Sequence, residues 1–423
     1  MQTYQNLKFI WKIKVPLLER LGLFMKTKIW KLLGLIFIMI FAMSATNAVY
    51  AAITQLATPP TVPVGSAPQY VAYDSGKGEI FVTNQGDGTV SVISDSSDTV
   101  VATVTVGQYP TGVAYDSSLG EVFVTNSGAD TVSVISDSTN QVVATIPVGS
   151  GPEGIAYDSG KGEIFVGNTN YDNSVSSTVD TVSVISDSTN AVVATINVEG
   201  GPTDLAYDPG KGEIFVSNEL SSSISVISDS SNAVVATATG VSAPEGLAYD
   251  SAKAEIFVAN YNAASVSVLS DKNNARVATV PLSGYAGDPT GLAYDPAKGE
   301  IFETSSAGST VYVISDSNNA VVATATVGSE PLGIAYDSAK GEIFVVNSGD
   351  NTVSVISDSS STSASPSPTG FASSTPTTST SSTPKVPEFS NAAFISVIAA
   401  LIVVTLCTVA IGRKKVENTP KKA

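Results

Sequence analysis

Residues 112–149 read GVAYDSSLGEVFVTNSGADTVSVISDSTNQVVATIPVG, and this stretch decides the fold. It holds four short β patterns: Gly112–Tyr115 (GVAY), Glu121–Asn126 (EVFVTN), Thr131–Ser136 (TVSVIS) and Val142–Val148 (VVATIPV). Each is rich in Val, Ile, Thr, Phe or Tyr, which suit a pleated, half-buried surface, and each is bounded by Gly, Asp, Asn, Ser or Pro. TVSVIS alternates apolar and polar residues as a strand with one buried face should. The segments from Asp116 to Gly120 and from Asp137 to Asn140 predict tight hairpins, because Asx side chains bond their own backbone and tolerate left-handed geometry.

The unit recurs seven times. Its Ala-Tyr-Asp triplet places tyrosines at Tyr73, Tyr115, Tyr157, Tyr207, Tyr249, Tyr294 and Tyr336, at intervals of 42, 42, 50, 42, 45 and 42 residues. Four antiparallel strands in a repeat of this length form one blade of a β-propeller. A single blade cannot bury both of its faces, whereas a ring of seven can. The predicted fold is all-β, a seven-bladed β-propeller over residues 52–358. The last copy lacks a VVAT-type fourth strand, and Thr61-Val-Pro-Val-Gly65, ahead of the first triplet, matches Thr145-Ile-Pro-Val-Gly149. The N-terminal strand is therefore expected to complete the last blade and close the ring.

The second strands carry FVTN at Phe81–Asn84 and Phe123–Asn126, with FVGN, FVSN, FVAN and FVVN at Phe165, Phe215, Phe257 and Phe344. A proline precedes every triplet, from Pro68 to Pro331, and Val-Ile-Ser-Asp or a close variant ends each third strand. Together these resemble the YVTN-family β-propeller repeat, best known from archaeal surface-layer and cell-surface proteins. Phe replaces the motif's Tyr, and the sixth copy departs further with Phe302-Glu303-Thr304-Ser305. The resemblance covers residues 61–358 and implies a fold; propellers host unrelated functions, so it implies little about activity.

The ends of the chain predict an envelope setting. Residues 25–51 read as a signal peptide with a basic start, an apolar run and small residues at the cleavage site, behind an upstream extension at 1–24. Residues 359–388 form a Ser/Thr/Pro-rich stalk with too little apolar surface to fold. Residues 389–412 have the length and apolar character of a transmembrane helix, and the basic tail at 413–423 places the propeller outside by the positive-inside rule. Pro387-Glu388-Phe389 resembles a PEF-type archaeal sorting signal, which implies cleavage and lipid transfer as the alternative to a retained helix. The one cysteine, Cys407, lies in this helix, so no disulfide supports the ring.

Between residues 52 and 388 there are nine Lys or Arg against 36 Asp or Glu. This argues against nucleic acid and anionic lipid surfaces as partners. The chain has no histidine, which removes Ser-His-Asp and Cys-His catalysis and His-ligated metals. No cofactor is expected, and calcium is the one ion such acids would take.

A residue present in every copy is architectural. On that rule the Tyr-Asp aspartates such as Asp74 and the third-strand aspartates such as Asp95 belong to turns. The glutamates that open the second strands, such as Glu79 and Glu121, are read as solvated. Departures from the repeat carry the function. An insertion within Asn168–Asp180 brings Asn170, Tyr171, Asp172 and Asn173; Glu219, Tyr261, Tyr285 and Glu303 depart elsewhere. Nearly all lie in second-to-third or fourth-to-first connections, which a propeller gathers on one face, and they form the candidate binding face. Asp172 and Asp180 are the calcium candidates, although their spacing does not fit an EF-hand loop.

These features lead to a non-enzymatic reading: a cell-surface structural or adhesive protein whose partner is an envelope glycan or protein. The alternatives are an extracytoplasmic hydrolase or lyase working with carboxylates or calcium, and a self-associating surface-layer building block.

Overall fold

The computed structural model describes residues 53–170, 179–282 and 288–357. Residues 1–24, the expected leader, stalk, anchor and tail, and Tyr171, Asp172, Asn173 and Tyr285 lie outside the described residues. Among the described residues no helix is long and apolar enough to cross a membrane.

Seven sheets form seven blades: 68–105, 110–147, 152–199, 202–239, 244–281, 289–326 and 331–357. In each, antiparallel strands follow in chain order from an inner strand at the axis to an outer strand at the rim. Inner strands pack on those of the next blade, and the inner strand of blade seven packs on that of blade one, so the ring is closed.

Two expected strand limits move slightly. The second-blade inner strand is Pro110–Asp116, beginning two residues before the expected Gly112, and its outer strand is Gln141–Pro147. Pro110 pairs with Asn126 and Val113 with Val124, with a bulge between them. Proline is tolerated at this first position because no ladder donor is needed there.

The N-terminal strand closes the ring as expected. Thr61–Pro63 pairs antiparallel with Thr352–Ser357, matching Val62 to Val353, and Val62 is buried. Another strand was not legible in the repeat. Thr54–Gln55 pairs parallel with the outer strand Ala320–Thr326 and makes blade six five-stranded.

The core lies between blades. Phe81, Val90 and Val92 pack against Val113, Val122, Val124 and Ile135 of blade two. The same contact closes the ring, where Phe344 and Val355 meet Val71, Ile80, Val82 and Ile93 of blade one. All seven repeat phenylalanines are fully buried. Cutting one back to alanine costs about 3–5 kcal/mol in a packed core.

The asparagine of FVTN has a structural task. Asn84 Nδ2 donates to Thr89 Oγ1 and Ser91 Oγ at 3.0 and 2.9 Å, and Asn126 Oδ1 accepts from the Gly107 N–H at 3.0 Å. It therefore ties its own third strand to the connection arriving from the previous blade.

The lower face, made of first-to-second and third-to-fourth turns, is a repeated belt. Asp74 Oδ1 accepts from the Gly76 and Lys77 N–H groups at 2.7 and 3.1 Å, the turn role expected for it. The Tyr115 hydroxyl of blade two faces the same carboxylate; burial first, and Asp74 second, hold that phenol above its usual range. Tyr73 faces Asp337 in the same way across the closure. Lysine straps join neighbours: Lys77 donates to the Asp137 carbonyl of blade two and Lys161 to that of Asp229 in blade four. The strand-opening glutamates are not solvated as expected. Glu79 and Glu121 are half-buried, each with one enclosed oxygen lacking a partner, and burial raises both carboxyls.

Candidate functional site at the upper face and channel mouth

The second-to-third turns and the fourth-to-first connections meet on the opposite, upper face and bond to each other. The Ser127 N–H donates to the Tyr109 carbonyl at 3.0 Å, Glu219 to Gly201 at 2.7 Å and Tyr261 to Ala243 at 3.1 Å. Tyr109 and Ala243 each stand before a proline with positive φ (52° and 43°), a conformation uncommon for residues with a side chain; in it their carbonyls accept those N–H groups.

At the centre the inner strands enclose a channel cavity of about 230 Å³. Five of them approach closely because a glycine stands three residues before the tyrosine. A Cβ on Gly112 would lie 2.2 Å from the Glu153 carbonyl oxygen, and one on Gly246 would lie 2.2 Å from that of Thr290. Tyr70 and Asp204 occupy this column in blades one and four, and both line the channel.

Asp204 Oδ1 accepts from the Leu205 N–H at 2.9 Å, and Oδ2 accepts from the Leu247 N–H of blade five at 2.8 Å. Burial raises its carboxyl to about 7, with those two N–H groups opposing the shift. Glu245, one blade further, also lines the channel. Burial and the neighbouring Glu219, Glu153, Asp204 and Asp288 push it up to about 8. The Tyr261 hydroxyl is raised by burial and by Asp288 and Glu245. The mouth therefore gathers carboxyls from blades three, four and five and from the connection into blade six. No lysine or arginine is among the neighbours that shift Asp204 or Glu245.

Of the expected face residues, Glu219 and Tyr261 come together here beside Glu245 and Asp288. Asn170 is exposed at the start of the blade-three insertion. Asp180 is 5% exposed, and its Oδ2 accepts from the Gly201 N–H at 2.9 Å. Asp130 caps Gly151 in the equivalent place, which makes Asp180 a cap of the connection into blade four. Among the described residues no group of three or more His, Cys, Asp or Glu is arranged to hold a metal ion.

Glu303 is not on the face. It is 0% exposed and occupies the column filled by Val82, Val124, Val166, Val216, Val258 and Val345, all buried. Burial pushes its carboxyl well above the usual range, the Thr290 N–H offsets only part of that, and neither oxygen makes a well-formed hydrogen bond. The usual Asn and Ser partners of this blade are replaced by Ser305 and Tyr312, both buried.

The comparisons agree on the scaffold. The family model described as arylesterase matches residues 213–321, about a quarter of the chain, from the second strand of blade four into the outer strand of blade six. Hydrazine synthase from Kuenenia stuttgartiensis is similar in fold, with a TM-score of 0.62 and 18% identity over 69% of this chain and 96% of that one. No curated protein is similar to the chain at a significant level. At this identity the likeness speaks for the propeller fold.

Proposed function

We propose that the protein is a recognition module of the cell surface, a YVTN-type propeller held outside the membrane by its C-terminal segment, with the upper face turned to its partner. The observation that carries this reading is the convergence of the single-copy departures Asp204, Glu219 and Tyr261, with Glu245 from a mixed column, on one face and one channel mouth. A surface dense in carboxylates accepts hydrogen bonds and repels anions, so its partner is rich in hydroxyl or amine donors, as envelope glycans and many proteins are.

The test has two parts. Protease treatment of intact cells should remove the propeller if it is displayed outside, and survival of the full chain would oppose that placement. The purified chain should bind isolated envelopes, or members of a glycan panel, saturably; absence of saturable binding would sink the recognition role.

A second reading has its own observation. Asp204 and Glu245 share one channel and titrate near neutrality, as an acid–base pair for hydrolysis would need. The match to the arylesterase family model over residues 213–321 includes Glu245. Turnover of aryl esters by the purified chain, lost in Glu245→Gln, would move the assignment to that enzyme class.

A further inference from the structure

We propose that the lower-face seam between blades two and three binds a primary alkyl ammonium group, the end of a lysine side chain, brought from outside this ring. Four residues after the triplet tyrosine the copies carry Lys77, Lys161, Lys211, Lys253, Lys298 and Lys340, and blade two alone carries Leu119. Five of these lysines show what the position does. Lys77, Lys161 and Lys211 donate to the carbonyls of Asp137, Asp229 and Asp271, the third-strand aspartates of the next blade. Lys253 and Lys340 stand 3.4 and 3.9 Å from carboxylate oxygens of Asp316 and Asp95, the same residue of their next blades. Lys211 also lies 3.7 Å from Glu213, which opens its own second strand. Such a seam is an ammonium site, built from the carbonyl and carboxylate of one blade and a strand-opening glutamate of the other.

Blade two meets blade three with the same acceptors and no lysine. Asp187 supplies the carbonyl and carboxylate, and Glu121 opens the second strand. Asp116 adds a carboxylate beside Asp187. It is 0% exposed, its Oδ1 accepts from the Ser118 and Leu119 N–H groups at 2.7 and 3.3 Å, and its Oδ2 makes no well-formed hydrogen bond. Burial and then Asp116 hold the Asp187 carboxyl above its usual range, against the Ser188 N–H. Burial, Asp116 and Asp187 raise Glu121 in the same way. A lysine opposes that rise at Glu79, Glu163, Glu255 and Glu342, and none does at Glu121. Leu119 is 52% exposed, an apolar surface along which the alkyl stem of a lysine can lie. Among the described residues no acidic group is arranged to hold a metal ion, whereas an ammonium needs only the acceptors that the sister seams already use.

The ring offers one such lysine of its own. All seven lysines between residues 53 and 357 stand in lower-face turns, and Lys272 alone makes no ion pair or side-chain hydrogen bond. It is exposed in the turn between the third and outer strands of blade five, Ser265–Ser270 and Arg276–Pro281. Blade four separates it from the seam within one ring. Lys272 of a second copy is therefore one source of the ammonium, and a lysine of another protein is the other.

An exposed ion pair is weak on its own, so binding is read on the ligand. Saturation-transfer NMR of n-butylammonium with the purified full chain should give a signal for the parent. That signal should be lost in Leu119→Lys, which restores the strap and should melt no lower than the parent. It should persist in Val143→Lys, which adds the same charge at the rim. Tetramethylammonium carries the charge but cannot donate a hydrogen bond, and should not distinguish the parent from Leu119→Lys. Sedimentation separates the sources: a dimer lost in both Lys272→Met and Leu119→Lys assigns the lysine to a second copy, and a monomer that binds n-butylammonium assigns it to another protein. Equal n-butylammonium signals from the parent and Leu119→Lys, or an equal difference with tetramethylammonium, overturn the proposal and leave the upper-face reading untouched.

Discussion

The two faces of this ring are built by opposite rules. On the lower face the copies agree: aspartate holds its turn, the next blade's tyrosine faces that aspartate, and lysines strap neighbours together. On the upper face the copies disagree, and two of the channel residues, Asp204 and Glu245, are carboxyls held above their ordinary range by burial, Glu245 also by neighbouring carboxylates. Repetition accounts for the first arrangement as stability. The second raises the free energy of the folded state, as binding and catalytic surfaces commonly do.

The comparison breaks first if the lower belt is dispensable. Asp116→Ala removes the acceptor for the Ser118 and Leu119 N–H groups and the carboxylate facing Tyr157. A loss of about 2–4 kcal/mol in urea unfolding is expected, with partner binding unchanged. A loss within experimental error would mean that repetition there does not signify stability.

Next in size is the buried carboxyl of blade six. Glu303→Val restores the residue of the other six copies and should stabilise the chain by about 1–3 kcal/mol at pH 7. The sign extends to pH. A carboxyl raised in the folded state favours folding below its unfolded value and loses that contribution as pH rises, so the gap between variant and parent should widen in alkali. Destabilisation by Glu303→Val would show that the Ser305 and Tyr312 replacements depend on the glutamate.

The smallest effect sharpens the upper-face side. Asp204 near 7 and Glu245 near 8 both lie above their unfolded values, so the melting temperature should fall as pH rises from about 4 to about 8. Glu245→Gln should flatten the part of that fall above pH 5. An unaltered profile would place the sensitivity in other carboxyls.

The ring, its blade number and its closure were legible because they are periodic: the triplet fixes the register, and the missing fourth strand reappears ahead of the first copy. The channel acids were harder to see. Asp204 interrupts a glycine column and Glu245 a mixed one, and attention to loops passes over inner-strand positions; setting the seven copies in columns would have exposed Asp204 beside Tyr70. Glu303 was recognised as a departure but placed on the face, although its column is valine and therefore core. Glu79 and Glu121 open strands, a position that suggests solvent, but the adjoining lower-face turns half-cover them. Thr54–Gln55 is two residues long and shares no period with the repeat, so pairing with blade six left no signature in the chain.

The most direct measurement compares the faces as binding surfaces. Saturable binding of the full chain to isolated envelopes would be measured for the parent, for Glu219→Gln with Glu245→Gln and Tyr261→Phe, and for Lys77→Ala with Lys161→Ala on the lower face. The account predicts that the upper-face variant loses affinity while the lower-face variant binds like the parent. Undiminished binding by the upper-face variant, with loss in the lower-face one, would contradict it.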